Sequence, residues 1–188
     1  RDEEGAQLLA NLLQGRRNFL AIAQERVGGR EAVVFGNAPS LDHEVDMLPP
    51  LDAALIAADG AAAVMLKKGI VPDIVVSDLD GPFPAIYEAC QRGAIIVVHA
   101  HGDNLDALKR YVPQLENIIG TCQCRPPAGL YNFGGFTDGD RSVFLAKELG
   151  TFSINLVGFD FEDESVTPRK RKKLAWAKRL IDFALSDP

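Results

Sequence analysis

PDIVVSDLDGP, residues 72–82, carries the pattern on which the predicted fold rests. A short apolar run, residues 74–77, leads directly into an acidic turn that ends in Gly and Pro. An apolar run of this length between turn residues is typical of a strand that is buried on both faces. The segment therefore predicts an inner strand of a parallel sheet, with a polar loop at its carboxyl end.

The same alternation continues on both sides of this segment. Further strands are predicted at residues 32–35, 54–58, 94–99, 117–122, 130–133 and 154–159. Helical patterns lie between or after them, at residues 61–68, 84–92, 104–111, 141–149 and 171–185. Strands that alternate with helices predict a Rossmann-like three-layer α/β/α fold with a mostly parallel sheet.

The first 30 residues have a different pattern. Apolar residues recur at helical spacing from Leu8 to Ile22, and Gly28-Gly29 ends the pattern. We therefore predict a helical N-terminal extension at residues 1–30 and one Rossmann-like domain at residues 31–188.

Composition narrows the class of partner. The formal net charge of −6 argues against nucleic acid, and no apolar run is long enough to span a bilayer. Cys90, Cys122 and Cys124 are too few for a disulfide framework, which favours a reducing, cytoplasmic compartment. We interpret Cys122 and Cys124 as small core residues rather than a metal pair. We expect no membrane partner, and leave a homodimer open.

Asp78 and Asp80 are the strongest candidates for metal ligands. In an extended segment their side chains point the same way, and two carboxylates about 5 Å apart repel by roughly 3 kcal/mol at an effective dielectric of 20. The pair then needs a cation or a shared proton, and oxygen ligands of this kind suit Mg²⁺. The alternative is that both face water and cap a helix.

The loops after the first two strands are candidates for nucleotide binding. Gly36, Asn37 and Ser40 lie in a turn that can present N–H groups to a phosphate, or in which Ser40 simply caps a helix. Asp59 and Gly60 follow the second strand, where Asp59 can reach a ribose or base, or act as an N-cap.

His99, His101 and Asp103 follow the fourth strand. They resemble a transition-metal site only superficially, because no fourth ligand accompanies them. His101 is a candidate contact for phosphate or substrate. Asp103 either joins the Asp78–Asp80 cluster or caps the next helix.

A glycine-rich turn precedes the helix predicted from residue 141. Thr137 with Asp140 forms an approximate capping box, and Arg141 is placed for a bidentate phosphate contact. The further binding candidates in this turn are Asn132, Gly134, Gly135, Thr137 and Asp138.

Five cations follow the last strand, at residues 169–173. Cations at a helix N-terminus are electrostatically unfavourable. The run is either a solvated segment or a group that neutralises a polyphosphate.

Together these motifs resemble the archaeal-type 6-hydroxymethyl-7,8-dihydropterin pyrophosphokinase family, from about Val33 to Leu180. The resemblance rests on the order and spacing of GNAPSL (36–41), ADGAA (58–62), PDIVVSDLDG (72–81), HAHGDN (99–104), NFGGFTDGDR (132–141) and GFDF (158–161). The third motif is also similar to thiamin pyrophosphokinases, but no thiamin-binding β-domain is expected after the last helix.

The resemblance implies transfer of a pyrophosphoryl group from ATP to the pterin alcohol, with release of AMP, in tetrahydromethanopterin or folate-type synthesis. Asp78 and Asp80 would bind Mg²⁺, with Asp103 as a third ligand. Residues 36–40 and 134–138 would hold the nucleotide, and Asn132 would add a hydrogen bond. Arg141 would stabilise charge, and either Asp80 or Asp103 would act on the hydroxyl.

Three alternatives remain at this point: a thiamin pyrophosphokinase, an enzyme similar to glycosyltransferases that uses a sugar nucleotide, and a nucleotide-binding module without catalysis.

Overall fold

The computed structural model describes residues 1–186, so the end of the predicted domain 31–188 lies outside the described residues. The strands are β1 Glu31–Phe35, β2 Ala54–Ala58, β3 Ile74–Ser77, β4 Ile95–Ala100, β5 Ile118–Cys122, β6 Leu130–Tyr131 and β7 Ser153–Val157. They form one seven-stranded sheet in the order β6-β5-β4-β3-β2-β1-β7. Every neighbouring pair is parallel, which confirms the predicted sheet.

Helices connect most of the strands. They are α1 Asp2–Leu13, α2 Leu20–Val27, α3 Leu41–Asp46, α4 Ala61–Lys67, α5 Phe83–Gln91, α6 Leu105–Tyr111, α7 Asp138–Glu148 and α8 Pro168–Ser186, with a 3-10 turn at Val112–Gln114. Within residues 1–186, no helix combines the length and the apolarity needed for a bilayer crossing.

Both faces of the sheet are covered, as a parallel sheet of apolar strands requires. One face packs against α1, α3, α4, α5 and α6, through buried residues such as Leu9, Met65 and Ile86. The other face packs against α2, α7 and α8, through residues such as Val27 and Ile181. The helices predicted for residues 1–30 are therefore present, one on each face; the division of the chain at residue 30 stays a prediction.

The structure corrects several predicted boundaries. β7 ends at Val157 because Gly158 has a φ of +72° and turns the chain, and β6 has only two residues. The short helix α3 was not among the predicted elements, because its six residues carry little apolar periodicity. α8 begins at Pro168 rather than residue 171, so the basic run lies inside a helix.

Candidate active site

A cleft of about 620 Å³ lies beyond the carboxyl ends of β1, β2, β3 and β7. This is the edge where ligands bind in open parallel sheets. The loops after these strands, the start of α7 and the first turns of α8 form its walls. Representative lining residues are Gly36, Asp59, Asp80, Asp138, Phe159 and Lys173.

The acidic turn after β3 is tighter than the extended segment assumed from the sequence. Leu79 has a left-handed φ of +67°, although its side chain is buried. The Leu79 N–H donates to Ser77 Oγ at 2.8 Å, and the Asp80 N–H donates to Asp78 Oδ1 at 3.2 Å. Asp78 and Asp80 are therefore neighbours because of a hydrogen-bonded turn, and not because of strand alternation.

The two carboxyls of this turn have opposite pKa shifts. Burial, a hydrogen bond with Asp78 and repulsion from Asp78 and Asp59 raise the pKa of Asp80 to about 6. Burial alone would also raise the pKa of Asp78, but hydrogen bonds from Asp80 and His101 outweigh it and lower that pKa. The pair thus loses its first proton easily and retains the second. A bound cation would relieve the same repulsion.

Asp59 adds a third carboxylate from the end of β2. Its φ of +39° is unusual for a residue other than glycine, and its Oδ1 accepts a 2.6 Å hydrogen bond from Ser77 Oγ. Burial, together with repulsion from Asp78, raises its pKa. A Cβ at Gly81 would lie 2.0 Å from Asp59 Oδ2, so only glycine lets the acidic turn approach this carboxylate.

Asp138, the first residue of α7, supplies a fourth carboxylate. Burial and then repulsion from Asp78, only partly offset by Arg141, raise its pKa well above the usual range. Its Oδ1 is buried and has no hydrogen-bond partner; the nearest cation is Arg141 Nη1 at 3.8 Å. An unsatisfied buried carboxylate oxygen is costly, and it can be satisfied by a cation or a ligand donor.

This donor set fits Mg²⁺ shared with a phosphate ligand. Among residues 1–186, no three Asp, Glu, His or Cys side chains converge closely enough to hold a metal by themselves. Mg²⁺ usually takes one or two carboxylates and completes its shell with waters and substrate phosphates. The paired oxygens of Asp78 and Asp80 meet that requirement, while Asp59 and Asp138 are further carboxyls nearby whose raised pKa values a bound cation would lower.

His101 and Asn104 hold the acidic turn from the end of β4. His101 Nδ1 accepts the Asp103 N–H at 3.2 Å, so Nε2 carries the hydrogen and donates to Asp78 Oδ2 at 3.2 Å. The Asn104 amide donates to the carbonyls of Asp78 (2.7 Å) and His99 (2.8 Å). Asn104 was missed as a site residue because an Asn before a helix predicts only a cap.

Asp103 is not brought into the cleft. Its side chain is 79% exposed and lies 3.4 Å from Arg1 Nη1, and it does not line the cleft. The turn after β4 directs its backbone N–H toward His101 and its carboxylate outward. The carboxylates that accompany Asp78 and Asp80 are instead those of Asp59 and Asp138, which the sequence analysis assigned to nucleotide binding.

The loop after β1 forms one wall. Gly36 and Asn37 line the cleft, whereas Ser40 does not and hydrogen-bonds Glu44 instead. The N–H groups of Gly36 and Ala38 donate to Val157 and Gly158, at 2.8 and 2.9 Å. Because these two N–H groups have partners, the loop contacts a ligand by its shape and the Asn37 side chain more than by free amides.

In the glycine-rich turn before α7, likewise, only some of the predicted residues line the cleft. Thr137 and Asp138 line the cleft, and the predicted capping box of Thr137 and Asp140 is present. Asn132, Gly134 and Gly135 do not line it. The Asn132 side chain accepts the Gly134 N–H at 3.1 Å, and so shapes the turn from outside.

Arg141 is a buried counter-charge. Its side chain is only 10% exposed; burial lowers the pKa of its guanidinium, and Asp138, Asp140 and Asp78 oppose that shift. Nη2 donates to Gln123 Oε1 at 3.3 Å, and Arg141 does not line the cleft. Arg141 therefore balances the carboxylate cluster from behind.

Two aromatic residues after β7 complete the cleft. Phe159 and Phe161 lie 5.6 Å apart between ring centroids, in a tilted arrangement, and both line the wall. A Cβ at Gly139 would lie 2.9 Å from Phe159 Cε1, so the start of α7 packs closely on this ring. The GFDF motif was the available signal, but it did not indicate which way the rings point.

His99 is buried and uncharged. Burial, with repulsion from Arg141 and His101, lowers its pKa to about 3. Nδ1 lies 3.1 Å from Thr121 Oγ1, and because that hydroxyl donates to Val98 O, Nδ1 must donate to it. Nε2 is then an unprotonated acceptor with no hydrogen-bond partner, which excludes a cationic role at neutral pH.

His99→Gln should change how stability depends on pH. The folded pKa is about 3, whereas an unfolded His titrates near 6.5, so acidification favours the unfolded chain below about pH 6.5. Between pH 6.5 and 5 this one residue should cost the wild type about 2 kcal/mol of unfolding free energy. Urea unfolding across this pH range should show this decrease in the difference between the unfolding free energies of wild type and variant. An equal pH dependence in both proteins would contradict the assignment of His99 as buried and uncharged.

Fold and site together define the class: a Rossmann-like α/β protein with an acidic cleft at the carboxyl edge of a parallel sheet. The family model "6-hydroxymethylpterin diphosphokinase MptE-like" matches residues 6–165. The chain belongs to this family, as its motifs indicated.

Curated relatives agree with this assignment. The chain is 46% identical to the 6-hydroxymethyl-7,8-dihydropterin pyrophosphokinase of Methanothermobacter thermautotrophicus, covering 97% of this chain and 85% of the relative. Proteins of the same name from Pyrococcus furiosus (41%) and Methanocaldococcus jannaschii (39%) cover 97% of this chain, and 84% and 86% of their own lengths.

Proposed function

We propose that this protein is a 6-hydroxymethyl-7,8-dihydropterin pyrophosphokinase, which uses magnesium-bound ATP and releases AMP. The observation that carries the proposal is that Asp59, Asp80 and Asp138 line one cleft, with Asp78 in the same turn as Asp80, in a chain whose relatives bear this name. Such a cluster repels a free polyphosphate, so it requires the cation that accompanies ATP.

The reaction is a substitution at phosphorus. The pterin hydroxyl oxygen forms a bond to the β-phosphorus, the bond from that phosphorus to the α–β bridging oxygen breaks, and AMP leaves. Alignment and charge neutralisation supply most of the rate in such transfers. Bound Mg²⁺, held by Asp78 and Asp80, would neutralise phosphate charge at this point.

The protein's own residues keep this arrangement in place. His101 and Asn104 orient Asp78, and Ser77 holds Asp59 against the acidic turn. Of the two carboxylates considered for the hydroxyl proton, only Asp80 lines the cleft, and we assign the proton to it.

The diphosphate product would enter tetrahydromethanopterin or folate-type synthesis. We place the reaction in the cytoplasm, in keeping with Cys90, Cys122 and Cys124 all being free thiols.

A substrate panel tests the acceptor. With Mg·ATP and 6-hydroxymethyl-7,8-dihydropterin, AMP should form at least roughly a hundredfold faster than with thiamin, because a site built around one heterocycle leaves polar groups unpaired with another. AMP is measured by chromatography, with ATP alone and a pterin without the hydroxyl as blanks. Turnover with thiamin but not with the pterin would reverse the assignment, and cleavage of a sugar nucleotide would replace it.

A further inference from the structure

The first two turns of α8 place three cations in the wall of the cleft. Arg169, Lys170 and Lys173 line it, followed one turn later by Leu174 and Ala177. This spacing is that of one helix face. The other two members of the basic run, Arg171 and Lys172, do not line the cleft.

The position of α8 is set by its other end. Ala177, Ile181 and Ala184 are buried in the core, and Lys147 Nζ of α7 donates to the Ala184 carbonyl at 2.6 Å. The basic turns are exposed and project from this anchor over the carboxyl edge of the sheet. A basic segment that served solubility alone would not need three of its five cations on the side of the cleft.

The acidic and basic walls face the same cleft, which Asp80 lines on the first side and Lys173 on the second. Yet among residues 1–186 no carboxylate forms an ion pair within 4 Å of Arg169, Lys170 or Lys173. These cations also lie at a helix N-terminus, where positive charge is unfavourable.

The geometry points to a polyphosphate clamp: Arg169, Lys170 and Lys173 bind the phosphate chain of the nucleotide from the α8 side, opposite the metal-binding carboxylates. This inference rests on the proposed function and assigns residues of that same site. A polyphosphate between the walls receives direct charge-assisted hydrogen bonds from α8 and its cation from the acidic turn. It also relieves the repulsion at the start of the helix.

Binding measurements with Lys173→Ala and Lys172→Ala test the clamp. Both variants remove one lysine from the same exposed turn, but only Lys173 lines the cleft. Lys173→Ala should weaken binding of Mg·ATP and of magnesium tripolyphosphate by roughly tenfold, whereas Lys172→Ala should stay within about twofold of wild type. Calorimetric titration measures both, with adenosine as a ligand that neither variant should affect. Lys170→Ala should behave like Lys173→Ala.

The clamp and the proposed function can be contradicted by different results. Equal losses of affinity in the two variants would show a general effect of net charge instead of a clamp. Unchanged affinity in Lys173→Ala would also contradict the clamp. Neither result would contradict the proposed function. No binding of Mg·ATP and no AMP formation by wild type would remove the proposed function and the clamp together. A lower Tm in Lys173→Ala would indicate a structural role, whereas the clamp predicts an unchanged or higher Tm.

Discussion

Asp80→Asn should lower kcat by roughly a thousandfold in the pterin-dependent release of AMP. The amide keeps the size and one oxygen of the side chain, but it loses the charge proposed to hold Mg²⁺ and the proposed capacity to accept the hydroxyl proton. Asp78→Asn should have a similar effect, because the two carboxylates share one turn and are proposed to hold the same cation.

The same substitution should not weaken the fold without metal. The folded pKa of Asp80 is about 6, above an unfolded value near 3.9, so its ionisation costs stability as the pH rises through this interval. At pH 7.5 Asp80→Asn should therefore match or exceed wild type in unfolding free energy. The gain should be about 1 kcal/mol or less, because this exposed side chain is screened by solvent.

Asp103→Asn is the matched control for this prediction. It removes a carboxylate from the same edge of the sheet, but one that points outward to Arg1. Its kcat should stay within about twofold of wild type, as is usual for exposed surface charges. A thousandfold loss in Asp103→Asn with a mild effect in Asp80→Asn would contradict the placement of both residues.

Arg141→Met should lower the free energy of unfolding by about 3 kcal/mol. Arg141 is a largely buried cation, and its loss leaves Asp138, Asp78 and the buried Asp140 without a positive charge that attracts all three. The destabilisation should grow from pH 5.5 to pH 8. Without Arg141 the pKa of Asp138, which is already raised, should rise further. Protonation of the carboxyls then relieves their repulsion only at the lower end of this pH range.

Urea denaturation of single and double variants measures this coupling. Adding Asp138→Asn to Arg141→Met should recover part of the loss, because one uncompensated carboxylate is then removed. Arg92→Met is the control: its 3.2 Å ion pair with Glu88 lies on the surface, and its loss should cost less than about 1 kcal/mol. If Arg141→Met proves no more costly than Arg92→Met, Arg141 does not stabilise the cluster.

Local patterns predicted the edge of the sheet where the cleft lies, because one rule links such a pattern to position. Each apolar run that ends in polar residues predicts a strand with its loop at the carboxyl edge, and parallel strands bring all these loops to the same edge. Asp59, Asp80 and Asp138 meet for this reason, although they are far apart in the chain. The rule concerns the backbone, and it is satisfied by residues that face inward or outward.

The sequence did not predict in which direction the side chains of these loops point. Asp103 and Asp138 both follow strand-end turns, yet one pairs with Arg1 at the surface and the other lies beside Arg141 in the wall of the cleft. The difference lies in backbone angles of the turns and in packing around them. No local sequence signal separates the two cases.

The sequence by itself determined the α/β class, the parallel sheet and the edge that carries the acidic pair. It did so through apolar runs followed by polar turns, because burial on two faces and loop position follow from local pattern. Only the tertiary structure decided which carboxylates share the cleft, that Arg141 lies behind them, and that three of the five cations of the basic run 169–173 line the same cleft. These arrangements depend on left-handed turns such as the one at Leu79 and on the close approach of Gly81, after β3, to Asp59, after β2. They also depend on the packing that anchors α8. The approach of Gly81 to Asp59 and the anchoring of α8 join distant parts of the chain, which is why residue spacing alone did not predict them.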